Sequence, residues 1–140
     1  MNIVDCKSKS NKYIHENNIV FSCKYHVIFT TKYRRKVLSD DIQSDLKQII
    51  LNNQEKYKYS IVEMETMPDR VHLLIESNPK VGIYPQICKI KGLSSNILRK
   101  KYNCLKSKLP CLWTRSTFIA TVGSVSLEVV MKYIENQKNV

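Results

Sequence analysis

Two residues near the C-terminus carry side chains that could act on a phosphate. Tyr133 and Gln137 are four positions apart in a stretch with a helical apolar period, so they share one face of the predicted helix. A tyrosine phenol, whose pKa is ordinarily near ~10, attacks phosphorus once it is activated. A glutamine carbonyl is a hard oxygen ligand for a divalent cation that polarises a phosphate. On this spacing alone, a surface tyrosine and glutamine are the commoner interpretation.

A histidine and an arginine share a face of a predicted strand in the middle of the chain. Residues 67–69, Met-Pro-Asp, are typical of a turn, and the apolar residues 71–75 that follow predict a buried strand. Because side chains alternate along a strand, Arg70 and His72 point to one face of the sheet and their neighbours to the other. Taken alone, His72 is best interpreted as a half-buried strand histidine.

Positive charge is abundant and clustered. The chain has 23 Lys and Arg against 12 Asp and Glu, a net charge of +11, which favours nucleic acid as a partner. One cluster of cations surrounds a tyrosine after the first predicted strand, and a second lies on a predicted helix. Cations neutralise phosphates and an interleaved aromatic ring stacks on an unpaired base. The residues predicted to contact nucleic acid are Lys32, Tyr33, Arg34, Arg35, Lys36, Lys89, Lys91 and Arg99.

The cysteines and the apolar runs indicate the compartment. The five cysteines are odd in number and none are spaced as Cys-x-x-Cys, which argues against a zinc ribbon or a disulfide framework. The N-terminal residues lack the apolar core of a signal peptide, and no run is long enough to span a membrane. We therefore expect a cytoplasmic protein that does not act at a membrane.

The apolar patterns predict one domain of the α+β class. Residues 1–18 are polar and lysine-rich and predict a flexible basic arm, while residues 19–140 form the domain. Strands are predicted at 19–31, 57–66, 71–75 and 112–122, with one helix after Ser39, a second containing Pro85 and a third capped by Ser126. The order β-α-β-β-α-β plus a C-terminal helix predicts a ferredoxin-like antiparallel sheet with its helices on one face.

The chain resembles the single-tyrosine HUH transposases encoded by small bacterial and archaeal insertion sequences. The resemblance covers nearly everything from about residue 19 to residue 139, and its specificity comes from the order and spacing of several modest segments. These are YHVIF at 25–29, KYRRKVL at 32–38, MPDRVHLL at 67–74, IKGLSS at 90–95, FIATVG at 118–123 and YIENQ at 133–137.

The resemblance implies a mechanism and a set of partners. Tyr133 would attack single-stranded DNA near an imperfect hairpin at an element end and form a 5′-phosphotyrosine, which a 3′-OH later resolves. His72 and Gln137 would be two of the ligands of a divalent metal ion, Mg²⁺ or Mn²⁺. The family usually works as a homodimer in which the tyrosine helix of one subunit completes the active site of the other.

Arg70 departs from the family pattern. It stands where the first histidine of the His-hydrophobic-His pair falls, and an arginine has no lone pair to give to a metal. We therefore expect weak or absent metal binding, retained hairpin binding and slow or undetectable cleavage. If the metal nevertheless binds tightly, Glu65 or Asp69 is the expected source of the third ligand.

Three functions are compatible with these features. The first is a transposase that cleaves and rejoins DNA through Tyr133, and the second is a catalytically impaired relative that still binds DNA hairpins. The third is an RNA-binding module, since the same element order serves RNA readers. The third is disfavoured because the chain lacks the aromatic-glycine signature of such sheets and has only three glycines.

Overall fold

A five-stranded sheet forms the centre of the molecule. The computed structural model describes residues 2–5, 13–16, 18–123, 128, 132 and 134–135. In chain order the strands are β1 (Asn2–Asp5), β2 (Ile14–Glu16), β3 (Ile19–Phe21), β4 (Lys24–Thr30), β5 (Tyr59–Met67), β6 (Arg70–Ser77) and β7 (Phe118–Thr121). The helices are α1 (Asp40–Asn52), α2 (Gln54–Tyr57), α3 (Ile83–Lys101) and α4 (Asn103–Lys108).

The strand order confirms the predicted fold. The large sheet runs β1-β5-β6-β4-β7 with antiparallel pairs, and β2 and β3 form a separate two-stranded sheet. The strands β4, β5, β6 and β7 are linked through α1 and α3 in the order β-α-β-β-α-β. This is the ferredoxin-like arrangement, to which α2 and α4 are short additions.

The hairpin of β5 and β6 has the predicted alternation of faces. Pro68 and Asp69 form its two-residue loop, between strands that end at Met67 and begin at Arg70. Val71 and Leu73 are fully buried, whereas Arg70 and His72 are only partly buried. The hairpin therefore presents one apolar face to the core and one polar face away from it.

The core lies between the apolar face of the sheet and the helices. Leu46 and Ile50 of α1 and Ile87 of α3 are fully buried against it, as the helical period of these segments predicts. Burial of each such side chain stabilises the fold by about 1.5–3 kcal/mol. The helix predicted after Ser39 begins there, with the Gln43 N–H donating to the Ser39 carbonyl at 2.8 Å.

Two sequence predictions about strands need correction. Part of the predicted flexible arm, residues 1–18, is in strands β1 and β2, with β1 paired antiparallel to β5. The arm has no apolar period that would predict a strand. Without β1, however, β5 would be an edge strand, and its unpaired backbone N–H and C=O groups can pair with an extended segment of any sequence. The predicted strand at 19–31 is two strands, β3 and β4, separated at residues 22–23.

The last predicted strand is shorter than its apolar pattern suggests. It was predicted over 112–122 but β7 spans only Phe118–Thr121. Leu112 and Trp113 are buried in the core instead, with the Trp113 indole edge-on to Phe29 at 4.7 Å between ring centroids. Trp113 forms an isolated antiparallel bridge with Thr31, so the predicted strand is interrupted between this bridge and Phe118.

The final helix is only partly within the described residues. Residues 128, 132, 134 and 135 are helical, as predicted, while its predicted cap Ser126 lies outside them. Among the described helices, none is both long and apolar enough to cross a membrane.

Candidate active site

The face of the sheet opposite the helices carries the candidate site. His26 and Ile28 on β4 alternate with fully buried residues, and His72 does the same on β6. Ile28 is the antiparallel partner of His72, and Glu65 on β5 is its partner on the other side. Since directly paired residues share a face, these side chains form one row across three strands. Phe118 on β7 extends the row and is 58% exposed.

Two histidines from adjacent strands meet on this face. The Nδ1 atom of His26 lies 3.1 Å from the Nε2 atom of His72, and their ring centroids are 5.2 Å apart. His26 is the partner of Leu74, two positions beyond His72, so the two imidazoles are diagonal neighbours across β4 and β6. In this contact one ring donates an N–H to the lone pair of a nitrogen on the other ring. His26 was not among the predicted site residues.

Arg70 is held at the hairpin turn. Its Nε atom donates to the Sδ atom of Met67 at 3.1 Å and lies 4.0 Å from an oxygen of Asp69. The other oxygen of Asp69 is 3.5 Å from the guanidinium of Arg34. Asp69 is therefore engaged by two arginines, which leaves it poorly placed as the extra metal ligand suggested above. In the described part of the chain, no group of three or more His, Cys, Asp and Glu side chains could hold a metal.

The cationic turn, residues 32–36, follows β4 and is anchored to the hairpin loop. The Thr31 N–H donates to the Asp69 carbonyl at 2.9 Å, and the Leu38 N–H to the Pro68 carbonyl at 3.0 Å. The buried Thr31 hydroxyl donates to the Arg35 carbonyl at 2.7 Å. These bonds fix both ends of the turn close to Arg70, at the end of the sheet where the loop between β5 and β6 lies.

The backbone of this turn displays its side chains to solvent. Tyr33 and Arg34 adopt left-handed conformations with φ of 57° and 51°, which costs about 1–3 kcal/mol each and persists because the surrounding bonds hold them. Tyr33 is 65% exposed, with the Lys32 ammonium 5.2 Å from its ring centroid. Arg35 and Lys36 are also exposed. The turn therefore offers cations and an accessible aromatic ring, as the sequence predicted.

The cations predicted on α3 differ in their availability. Lys89 is exposed. The Lys91 ammonium instead donates to the carbonyls of Thr114 and Ser116, at 2.7 and 3.3 Å, and to the hydroxyl of Thr117 at 3.0 Å. Burial lowers the pKa of this ammonium. Because its N–H groups are used within the fold, Lys91 is less available than Lys89, and its contact with nucleic acid stays a prediction.

Arg99 is also partly taken up by the fold. Its Nη2 atom donates to the Leu109 carbonyl at 3.3 Å, and the side chain is half-buried. The predicted nucleophile Tyr133 and metal ligand Gln137 lie outside the described residues.

A cavity lies at the opposite end of the sheet. Its volume is about 540 Å³, and its lining includes Glu16, Glu55, Glu76 and one cation, Lys58. Carboxylates repel phosphates, so this cavity does not fit the DNA backbone. Arg70 and Glu76 are near the two ends of β6, so the cationic turn and the cavity are separated by the length of that strand.

The sequence matches a known family over most of its length. Residues 19–137 match the family described as Transposase IS200 like. The ISDra2 transposase TnpA of Deinococcus radiodurans is 35% identical over 120 residues, which cover 84% of this chain and 86% of that protein. The transposase for insertion sequence element IS200 of Salmonella typhimurium is 30% identical over 119 residues, covering 84% of this chain and 78% of that protein.

Two solved structures share the fold. A candidate transposase from Deinococcus radiodurans R1 is 32% identical, with a TM-score of 0.70 over 89% of this chain and 97% of that one. A REP-associated tyrosine transposase bound to a REP hairpin has a TM-score of 0.54, covers 93% of this chain and 67% of that one, and is 11% identical, so it supports the fold alone. The matched residues include the cationic turn, the hairpin with His72 and the predicted tyrosine helix, and by this match the chain belongs to the IS200-like transposase family.

Proposed function

We propose that this transposase cleaves and rejoins single-stranded DNA at hairpin-bearing element ends through a covalent link to Tyr133. The observation that carries the proposal is the position of His72. It is half-buried on the face of the sheet opposite the helices, called the open face below, and on the hairpin whose loop anchors the cationic turn. This position supports the proposal, because a potential metal ligand then belongs to the hairpin that anchors the cations proposed to bind a phosphate backbone. The family assignment supports strand transfer as the reaction.

The proposed chemical step conserves the phosphodiester bond energy. The phenol oxygen of Tyr133 forms a bond to phosphorus and the bond from phosphorus to the 3′ oxygen breaks. The phenol gives up its proton, and the departing 3′ oxygen becomes a hydroxyl. A 3′-OH of another strand then attacks the phosphotyrosine, which returns the phenol and joins the strands without ATP.

His72 and Gln137 are proposed to hold a divalent metal, Mg²⁺ or Mn²⁺. His72 fits this role because its Nε2 atom lies on the open face with a second imidazole beside it. Such a cation, when bound, supplies Lewis-acid polarisation of the phosphate. Arg70 cannot ligate it, but its fixed positive charge on the same face suits a phosphate oxygen.

The cationic turn is proposed as the main DNA contact. Lys32, Arg34, Arg35 and Lys36 would neutralise phosphates, and the exposed ring of Tyr33 would stack on an unpaired base of the hairpin. The structural neighbour that was solved with a REP hairpin shares this fold, and a hairpin substrate is proposed here by analogy with it. Lys89 would extend the surface along α3.

A homodimer with active sites completed in trans is proposed as the assembly. Phe118 and Ile28 leave apolar surface on the open sheet face beside His72. A tyrosine helix docked from a second subunit would cover that surface and deliver Tyr133 to the metal ligands.

The experiment is adduct formation with labelled hairpin DNA and Mn²⁺ or Mg²⁺. We expect a covalent protein–DNA complex that survives denaturation, that Tyr133→Phe abolishes and that Tyr84→Phe, at an exposed tyrosine of α3, preserves. Arg70 favours one alternative, a catalytically impaired relative that only binds hairpins. Hairpin binding without any adduct from the natural protein would establish that alternative, and recovery of the adduct in Arg70→His would attribute the impairment to the arginine.

A further inference from the structure

We infer that His26 supplies the metal ligand that Arg70 cannot, so that a divalent metal binds between β4 and β6 through His26 and His72. The inference rests on the proposed function in that it concerns the same metal site. It changes the expectation drawn from sequence, because the site then keeps two imidazoles despite the arginine. The second imidazole comes from the neighbouring strand instead of from two positions earlier on β6.

The separation of the two ring nitrogens fits shared ligation. The nitrogens of His26 and His72 are 3.1 Å apart. Two nitrogens bound to one metal at about 2.0–2.1 Å, at angles between octahedral and tetrahedral, lie about 2.8–3.4 Å from each other. The distance between the nitrogens therefore already suits shared ligation, and each ring has only to turn until its lone pair points at the cation instead of at the other ring. The direct contact between the rings would be replaced by two metal bonds.

The backbone fixes this pairing. The β4 and β6 strands are in continuous antiparallel register from Lys24 opposite Glu76 to Thr30 opposite Arg70. The two histidines are interior to that ladder, and both point to the open face. A slip of one residue would send one imidazole into the core, which the fully buried Val27 and Leu73 forbid.

The surrounding groups leave the site open to a cation. Arg70 is turned toward Met67 and Asp69 at the start of β6. Glu65, the register partner of His72, adds negative charge on the same face. Two imidazoles favour Mn²⁺ and later transition metals over Mg²⁺, which prefers oxygen ligands. The remaining positions would be taken by Gln137, water or phosphate oxygens.

The test follows histidine ring signals by NMR while Mn²⁺ alone is added to the full chain. The chain has three histidines, so ring labelling gives three resonance sets that the alanine variants assign. At substoichiometric Mn²⁺ we expect the His26 and His72 signals to broaden first and the exposed His15 on β2 to persist. In His26→Ala, broadening of His72 should need at least about tenfold more Mn²⁺. The matched control His15→Ala should titrate as the natural protein does.

A rescue variant separates ligand loss from misfolding. Arg70→His in the His26→Ala background should restore Mn²⁺ affinity, since it returns a second imidazole to the same face. Unchanged broadening of His72 in His26→Ala, or broadening of His15 in step with the other two, would overturn the inference. Failure of the rescue would overturn it as well.

The two proposals fail in different ways. Tyr133→Phe should leave the Mn²⁺ titration unchanged while it removes the DNA adduct. An intact titration without any adduct from the natural protein would refute the proposed cleavage and support the histidine pair. An adduct that survives, with metal affinity indifferent to His26, would support the cleavage and refute the pair.

Discussion

Removing two arginines from the cationic turn should change how salt weakens DNA binding. Arg34 and Arg35 are exposed there, and the turn that carries them is fixed at both ends by bonds to the hairpin loop. Each phosphate contact contributes about 0.7 to the log–log salt slope for a single strand and about 0.9 for a duplex. The double substitution to alanine should therefore flatten the slope by about 1.4–1.8 units. Between 50 and 200 mM salt, the loss of affinity should be about tenfold smaller than for the natural protein.

The assay is hairpin binding by fluorescence anisotropy over a series of salt concentrations. A matched control removes two exposed lysines from α4, Lys106 and Lys108. Both double variants lower the net charge by two, from +11 to +9, so a general effect of charge is the same in each. Only the arginine variant removes contacts from the proposed interface.

The ion pair between Arg34 and Asp69 should not keep Arg34 from contacting a DNA phosphate. The pair is 3.5 Å apart and Arg34 is 63% exposed, so exchanging the carboxylate for a phosphate costs little. If the slope is unchanged by the arginine substitutions, or falls equally in the lysine control, the cationic turn does not form the DNA interface.

The remaining predictions concern stability and assembly. Lys91→Met should lower the free energy of unfolding in urea by about 1–3 kcal/mol, because three acceptors in the 114–117 loop lose their donor. The control Lys89→Met, at an exposed lysine, should change it by less than about 0.5 kcal/mol. Equal effects of the two substitutions would refute the structural role of Lys91. Purified heterodimers of His72→Ala and Tyr133→Phe subunits should retain about half the cleavage activity, since in trans one composite site carries both lesions and the other neither. Complete loss of cleavage in those heterodimers would indicate sites built within one chain.

The central hairpin could be predicted from sequence because its signals are local. Pro68 and Asp69 identify the turn, and the alternation from Arg70 to Leu73 assigns the faces without knowledge of any other strand. The order of the helices and strands then fixes the ferredoxin-like topology, because few connections of such elements are possible.

The histidine pair could not be predicted because it depends on register between distant strands. His26 and His72 are 46 positions apart, and only the alignment of β4 with β6 makes them diagonal neighbours. Alternation along β4 places His26 on the same face of the sheet as Ile28, and this was the available signal in the sequence. It does not identify the residue on another strand that His26 contacts. Lys91 shows the same limit, because its acceptors come from a loop that the sequence suggested was a strand.

The most direct test of the central claim is to map the nucleotide remnant on the covalent adduct. The natural protein would be incubated with hairpin DNA and Mn²⁺, digested, and its peptides analysed by mass spectrometry. The chain has eight tyrosines, so the mapping distinguishes among many possible nucleophiles. We predict a 5′-linked nucleotide on Tyr133 and on no other residue. A remnant on another tyrosine, or no adduct under conditions in which the hairpin is bound, would contradict the account.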